Sequence, residues 1–245
     1  LVAALAGMVY SLLLAFASIN LKADQTIGGT ALNLLATAIA VVLAKNFSDS
    51  GSAKLNYTNK PFLFSIGGLE LSIFVPLGII LLIISYVVLY KTRFGLRLRA
   101  CGENPQAADS LGINVYKMRY AGVTIGGALA GMGGFVYALT TANCTANGDV
   151  AGFGFLALAV MIFGNWKPLN IAGASILFGL FKCIAASYAS LDINGDGVYA
   201  LASIGISPHF YRMLPYLITI IVLAFTSKSS RAPKAEGIPY DKGSR

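Results

Sequence analysis

The chain has 245 residues, of which 56% are hydrophobic and only 11% are charged, and its formal net charge is +8. Soluble domains carry about 25% charged residues, so this composition excludes an ordinary soluble globular protein. The positive charge does not indicate a nucleic-acid partner, because the lysines and arginines lie at the ends of apolar segments and in the tail. We therefore predict an all-α, polytopic membrane protein surrounded by membrane lipid.

Seven apolar stretches are candidates for membrane segments. A helix needs about 20 apolar residues to cross the hydrocarbon core of a bilayer. In chain order, the predicted segments are residues 1–19, 25–44, 71–90, 120–141, 151–164, 168–188 and 213–226. The fifth and the seventh are shorter than a usual span, so we expect tilted or half-length helices there.

The basic residues predict which side of the membrane each connection faces. If the loop 91–119 is inside, strict alternation also places Lys22, Lys167 and the tail 228–245 inside, together with most of the 18 basic residues. Lysine and arginine are enriched in cytoplasmic loops, which favours this orientation over its inverse. The tail has Pro233 and Pro239 among charged and small residues, so we expect a flexible cytoplasmic end.

The outer connections in this orientation are residues 45–70, 142–150 and 189–212, which carry turn signals typical of solvated loops. The third contains His209, the single histidine, and residues 192–197, which imitate the opening of a calcium loop. Ser203 stands where that loop needs a glutamate, so a turn is the favoured interpretation. The three cysteines, Cys101, Cys144 and Cys183, have no metal-ligand or redox spacing.

These residues exclude most catalysts. His209 is better explained as an interfacial side chain than as a catalytic base. No Gly-x-x-x-x-Gly-Lys-Ser/Thr motif occurs, so any nucleotide must be hydrolysed by another chain. An integral-membrane enzyme would require clustered His, Asp or Glu at one interface, and the sequence has none. We predict a protein that is not an enzyme and has no cofactor and no metal site.

The most informative polar stretch is residues 101–115. Asn104 is a good helix cap, Pro105 suits a first turn, and Gly112 suits a stop after Leu111. This pattern predicts a helix of about two turns in the cytoplasmic loop. Its apolar face would consist of Ala107, Ala108 and Leu111, in reach of a partner protein. On periodicity alone, an ordinary interhelical turn is the favoured alternative.

Residues 95–115 read Gly-Leu-Arg-Leu-Arg-Ala-Cys-Gly-Glu-Asn-Pro-Gln-Ala-Ala-Asp-Ser-Leu-Gly-Ile-Asn-Val. This stretch resembles the signature of permease subunits of ABC importers for simple sugars, nucleosides and branched-chain amino acids. The resemblance continues in residues 127–131, 159–168 and 176–179. Residues 21–36 and 237–243 are similar to the nucleoside-type branch, so the resemblance extends over nearly the whole chain.

The resemblance implies an ATP-driven importer that moves nucleosides or simple sugars by alternating access. Residues 1–227 would be its transmembrane permease domain in the bacterial cytoplasmic membrane, and residues 228–245 its cytoplasmic tail. The partners would be an ABC ATPase, a second permease in a homodimer or heterodimer, and an extracytoplasmic substrate-binding lipoprotein. The family's amino-terminal Asn-x-Gly-x-Glu-Gly block is absent, so we expect the permease domain to be incomplete at its N-terminus.

The resemblance also implies that the loop around the short helix docks on the ATPase. The ATPase-coupling residues would be Gly102, Glu103, Asn104, Pro105, Ala107, Ala108, Asp109, Leu111 and Gly112.

Two polar residues inside the apolar segments are candidates for the translocation path. Lys182 lies beyond the midplane of the sixth segment, where a charge either faces a cavity or extends to the nearer surface, and both interpretations stay open. Asn33 can bond a neighbouring helix or line the path, and the packing role is favoured. An alternative function is a secondary transporter or channel for a small neutral solute. Such proteins commonly need an intramembrane acid, and here Glu70 and the other acids lie near segment ends.

Small residues recur along the fourth segment and predict close helix packing. Gly122, Gly126, Ala130 and Gly134 recur at every fourth residue, and two more glycines lie beside this row. Packing within the subunit is favoured over a dimer interface. The predicted packing glycines are Gly122, Gly126, Gly127, Gly131 and Gly134.

Overall fold

The computed structural model describes residues 1–48, 51–53, 55–58, 62–66, 69–140, 145–146, 148–150, 152–187, 207, 210, 213, 217, 220 and 232–243. The chain divides into two compact units, the first formed by Leu1–Gly152 with Pro233–Arg245 and the second by Phe153–Ala232.

The described part of the chain is mostly helical. The first unit contains α1 (Val2–Ala15), continued by a π-helical turn (Phe16–Asn20), then α2 (Gln25–Phe47), α3 (Phe74–Lys91), α4 (Arg93–Glu103), α5 (Pro105–Ser110) and α6 (Val115–Thr140). The second unit contains α7 (Phe153–Phe163) and α8 (Pro168–Ser187), which pack on each other through Val160, Ala174 and Phe178.

Five of the described helices are long and apolar enough to cross a membrane: Val2–Asn20, Gln25–Phe47, Phe74–Lys91, Val115–Thr140 and Pro168–Ser187. The short apolar helix Phe153–Phe163 adds a sixth apolar element. The prediction of a helical, polytopic membrane protein is therefore confirmed. The predicted segment 213–226 lies outside the described residues, apart from three positions.

Two small antiparallel sheets were not predicted. β1 (Leu55–Asn56) pairs with β4 (Thr145–Ala146), and β2 (Leu63–Ile66) pairs with β3 (Leu69–Ser72). Strand β3 takes the first residues of the predicted segment 71–90, so that helix begins at Phe74 instead. The ring centroid of Phe74 lies 5.5 Å from that of Phe62 and 5.9 Å from that of Phe135, which holds this region against α6.

Helices α1 and α6 pack antiparallel with their backbones in direct contact. A Cβ atom at Gly7 would overlap the carbonyl oxygen of Gly127 and lie 2.9 Å from the Cα atom of Gly131. A Cβ atom at Gly131 would in turn overlap the carbonyl oxygen of Ala3. In lipid such small residues let helices approach closely enough for extensive van der Waals contact.

The structure places the predicted packing glycines in different surroundings. Gly127 and Gly131 lie in the contact with α1, and the Cβ position of Gly122 is 3.2 Å from the side chain of Leu98 in α4. For Gly126 and Gly134, no described atom lies within 4 Å of the Cβ position. Gly127 and Gly131 are four residues apart and Gly126 and Gly134 are eight apart, and only the first pair faces α1.

The π-helical turn that follows α1 is hydrogen-bonded to α6 near the beginning of that helix. The amide of Leu21 donates to the carbonyl of Phe16, and the hydroxyl of Tyr120 donates to Oδ1 of Asn20 at 2.6 Å. The hydroxyl of Ser18, a buried side chain, donates to the carbonyl of Leu14 at 2.7 Å. The end of α1 is thereby held beside the first turns of α6.

The contact between α1 and α6 can be tested with matched glycine substitutions. Gly131→Leu should lower the stability of the chain by about 1–3 kcal/mol, because the new side chain must displace the backbone of α1. Gly134→Leu adds the same side chain one turn away and should be tolerated. The midpoint of thermal unfolding in detergent measures both variants, and equal midpoints would contradict the described packing.

Candidate functional site

Several helix ends and connections meet at one end of the first unit. Because α1 and α6 run antiparallel, the end of α1 lies beside the start of α6, and the α1–α2 connection, α4 and α5 join them there. We call this the basic end. Its lysines and arginines are Lys22, Lys91, Arg93, Arg97, Arg99, Lys117, Arg119, Lys234 and Lys242.

The turn from α3 into α4 depends on two residues. The hydroxyl of Thr92 donates to the carbonyl of Val88 at 2.6 Å and accepts from the amide of Gly95 at 3.1 Å, which caps α4. A Cβ atom at Gly95 would meet the backbone of Val88 and Leu89. The close approach requires glycine at this position, so the chain can turn directly from a long apolar helix into a basic one.

The short helix α5 has capping hydrogen bonds at both of its ends. Oδ1 of Asn104 accepts from the amide of Ala107 at 3.0 Å, and Pro105 occupies the first turn. At the other end, the amide of Gly112 donates to Asp109 at 2.9 Å, and Gly112 has a φ of +79°. The amide of Ile113 donates to Ala108 at 3.1 Å, which completes a Schellman motif. The predicted short helix, with its predicted cap and stop residues, is confirmed.

The predicted apolar face of this helix is wrong in one respect. Ala108 is only 2% exposed and packs inside the first unit against Cys101, Val115 and Tyr240. Ala107 remains exposed, and Leu111 is 82% exposed. The surface that α5 presents outward is therefore formed by Ala107 and Leu111 without Ala108.

Tail residues 233–243 are folded against the first unit, contrary to the predicted flexible end. The amide of Ala235 donates to the carbonyl of Gly102 at 2.9 Å, and Nη1 of Arg119 donates to the carbonyl of Ile238 at 2.9 Å. Tyr240 is 5% exposed. The described tail residues therefore belong to the basic end of the first unit. The one sequence signal for this contact was an aromatic residue within an otherwise polar tail.

An ion pair links the tail to the α1–α2 connection. Nζ of Lys22 lies 2.8 Å from Oδ2 of Asp241. The hydrogen bond to Asp241 raises the pKa of Lys22, and the hydrogen bond from Lys22, with the amide of Gly243, lowers the pKa of Asp241. The ion pair therefore persists from above the acidic pKa of the carboxyl group to below the alkaline pKa of the amine. It is exposed to solvent, so its contribution to stability is small.

A polar stripe runs along α2. Thr26, Thr30, Asn33 and Thr37 are spaced so that they share one helix face, and all four are exposed. The hydroxyl groups of Thr30 and Thr37 donate to the carbonyls of Thr26 and Asn33. Among the described residues, none hydrogen-bonds to the amide group of Asn33. Its polar group therefore remains available on the outer surface of a membrane-spanning helix.

Lys182 has an aromatic partner within the second unit. Its Nζ atom lies 3.7 Å from the ring centroid of Phe153, the first residue of α7. A cation over an aromatic ring is stabilised by the charge distribution of the ring. The sequence left open a cavity-facing and a surface-reaching position for this lysine, and the structure places its amine on the ring.

Several predicted features lie outside the described residues. They are Cys144, the turn at residues 192–197, and His209.

A family model described as "Branched-chain amino acid transport system / permease component" matches residues 1–223. The chain belongs to this permease family. The match covers all of the described helices. No solved structure matches the permease.

Three relatives of the permease are informative. It is 43% identical over 249 residues to the nucleoside ABC transporter permease protein NupC of Lactococcus lactis subsp. cremoris, covering 98% of the permease and 76% of NupC. It is 39% identical over 259 residues to the guanosine ABC transporter permease protein NupQ of Bacillus subtilis, covering 100% of the permease and 77% of NupQ. The putative glucose ABC transporter permease protein TsgC13 of Haloferax volcanii is 30% identical over 241 residues, and the alignment covers 89% of the permease and 71% of TsgC13.

Proposed function

We propose that this permease is the membrane-spanning subunit of an ATP-driven nucleoside importer in the bacterial cytoplasmic membrane. The observation that carries the proposal is its similarity to NupC along 98% of the chain, supported by the similarity to NupQ. Simple sugars are the second candidate substrates, because TsgC13 is named as a putative glucose permease. ATP would be hydrolysed by separate ATPase subunits. A second permease and an external binding lipoprotein would complete the importer.

The basic end is the part of the molecule that suits contact with the ATPase. Lysine and arginine favour the cytoplasmic side, where ATP is available, and the basic end carries such residues in the α1–α2 connection, in α4, in the first turns of α6 and in the tail. Helix α5 lies there with Glu103 beside its cap and with Ala107 and Leu111 exposed. A short capped helix joined directly to α4 and α6 can pass a displacement into the membrane helices. We therefore assign α5 as the coupling helix.

The polar stripe of α2 is our candidate for part of the solute path. Nucleosides and sugars are neutral and rich in hydroxyl groups, so a path for them needs hydrogen-bonding groups and no charges. Asn33 offers one amide donor group and one acceptor within the polar stripe of a mostly apolar helix. A polar face on a spanning helix is costly against lipid, which favours a position facing water, solute or another subunit.

The coupling role of α5 can be tested by charge reversal. Glu103→Lys with Asp109→Lys should reduce nucleoside uptake more than about tenfold, because a misplaced charge at a protein contact costs several kcal/mol. Insertion into the membrane should be unaffected, since neither residue lies in a spanning segment. Deleting residues 107–111 should have the same effect.

The matched control replaces the same two acids with Gln and Asn, which keep side-chain size without reversing charge. These variants should keep more transport than the lysine variants. Labelled nucleoside uptake, corrected for the amount of each variant in the membrane, measures the effect. Normal uptake by the lysine variants would refute the assignment of α5 as the coupling helix.

The path role of Asn33 can be tested separately. Asn33→Leu removes the hydrogen-bonding group with little change in size and should lower uptake efficiency about two- to tenfold, the worth of one hydrogen bond. Asn33→Gln keeps the amide and should restore part of the loss. Both should assemble normally. If Asn33→Leu transports as well as the unchanged permease, Asn33 does not contact the solute.

A further inference from the structure

The tail residues 233–243, which we call the strap, contact three parts of the basic end that are distant in sequence. The amide of Ala235 bonds the last turn of α4 at Gly102, and the carbonyl of Ile238 accepts from Arg119 of α6. Asp241 bonds Lys22 in the connection between α1 and α2. The strap therefore contacts residues near the beginning and in the middle of the chain at one surface.

Tyr240 is the anchor of the strap. It is 5% exposed and packs with Cys101, Ala108 and Val115. Its ring centroid lies 5.3 Å from that of Tyr116, with the rings inclined at 64°, an edge-on geometry that aromatic pairs favour. One side chain from the tail thus contacts α4, α5 and α6 together.

Helix α5 depends on this contact for its position. It has six residues, too few for a helix to be stable by itself in water, and Ala108 is its one buried residue. Ala108 is buried in the same cluster as Tyr240. Without the ring of Tyr240, α5 would keep its caps and lose a large part of the surface that fixes it to α4 and α6.

The strap also extends the outward surface of α5. An open cavity of about 370 Å³ lies between them, lined by Gln106 and Asp109 of α5 and by Asp241 and Lys242 of the strap, among others. A protein that docks on α5 at this cavity would therefore meet the strap as well.

We propose that the strap is a positioning element of the coupling site, in which Tyr240 holds α5 in place and the strap forms one wall of the surface that receives the ATPase. The proposal rests on the assignment of α5 as the coupling helix. Tyr240 acts through Ala108 and does not itself contact the solute. Motion imposed on α5 by the ATPase would pass to α6 and to the α1–α2 connection because the strap contacts both.

The docking of the strap can be measured first, without the ATPase. Cys101 lies in the cluster around Tyr240 and is 3% exposed, and its burial raises the pKa of its thiol, so alkylation should be slow. In a Cys144→Ser, Cys183→Ser background, Tyr240→Ala should accelerate alkylation of Cys101 by about tenfold or more, because the covering ring is removed. Tyr240→Phe keeps the ring and should stay slow.

Ile238→Ala is the control within the strap. This side chain is 55% exposed, and the backbone carbonyl that bonds Arg119 is retained. Alkylation of Cys101 should therefore remain slow. Rapid alkylation of Cys101 in the permease with an unchanged strap would overturn the proposal.

A second pair of residues tests the docked position directly. The Cβ position at Gly102 lies 3.6 Å from the Cβ atom of Pro233, within the range that a disulfide bridges. Gly102→Cys with Pro233→Cys should therefore crosslink on mild oxidation, detected by mass spectrometry of the digested permease. This result does not depend on Tyr240, so it decides the position of the strap even if Tyr240→Ala fails to fold. Absence of the crosslink would overturn the proposal.

The coupling role is tested in the complete importer in proteoliposomes, with its ATPase, second permease and binding protein. Tyr240→Ala should raise the ATP hydrolysed per nucleoside transported by about two- to thirtyfold, the range of mutations that alter coupling between sites. Tyr240→Phe and Ile238→Ala should leave the ratio unchanged. An unchanged ratio for Tyr240→Ala, in a variant with reactive Cys101, would overturn the proposal.

Failure of the strap proposal and failure of the proposed function give different results. If charge reversal at Glu103 and Asp109 abolishes uptake but Tyr240→Ala leaves the ATP hydrolysed per nucleoside unchanged, the strap proposal alone fails. If charge reversal in α5 also leaves uptake unchanged, the assignment of α5 fails and the strap proposal fails with it.

Discussion

The close backbone contact between α1 and α6 determines where the rest of the first unit lies. Gly7 on one helix and Gly127 and Gly131 on the other have no side chains to separate them. Since lipid is as apolar as the helices, this contact relies on van der Waals packing, which weakens steeply with distance. The antiparallel contact also places Asn20, at the end of α1, beside Tyr120, near the start of α6.

The basic end is built on that arrangement. Val115, Tyr116 and Arg119 in the first turns of α6 provide the surface on which α4, α5 and the strap pack. Lys22 follows α1 closely and is therefore within reach of Asp241. A shift of α1 along α6 would separate these partners, so helix packing inside the membrane and the geometry of the proposed ATPase contact are physically linked.

Features set by short stretches of sequence could be predicted. The apolar segments indicated the spanning helices, and Asn104, Pro105 and Gly112 predicted α5, because caps and glycine turns act over a few residues. The direction of the exposed surface of α5 could not be predicted in this way. Ala107 and Ala108 are neighbours in sequence but point about 100° apart on a helix, and it is the distant Tyr240 that covers one of them.

The other features that the sequence did not predict also depend on contacts between distant parts of the chain. Glycines repeat every four residues on two faces of α6, and no pattern within α6 indicates that Gly127 and Gly131, and not Gly126 and Gly134, face α1. The pairing of β1 with β4 joins connections that are far apart in the chain, and the strap joins the tail to α4. Such contacts depend on the assembled fold, so local patterns do not reveal them.

The proposed function requires that the basic end, with α5 and the strap, faces the compartment that supplies ATP. Single cysteines at Glu103 and Val150, introduced into a background without other cysteines, test it most directly with a membrane-impermeant maleimide on sealed vesicles. Glu103→Cys should be labelled only in inside-out vesicles and Val150→Cys only in right-side-out vesicles. Labelling of Glu103→Cys from the outside would contradict the account.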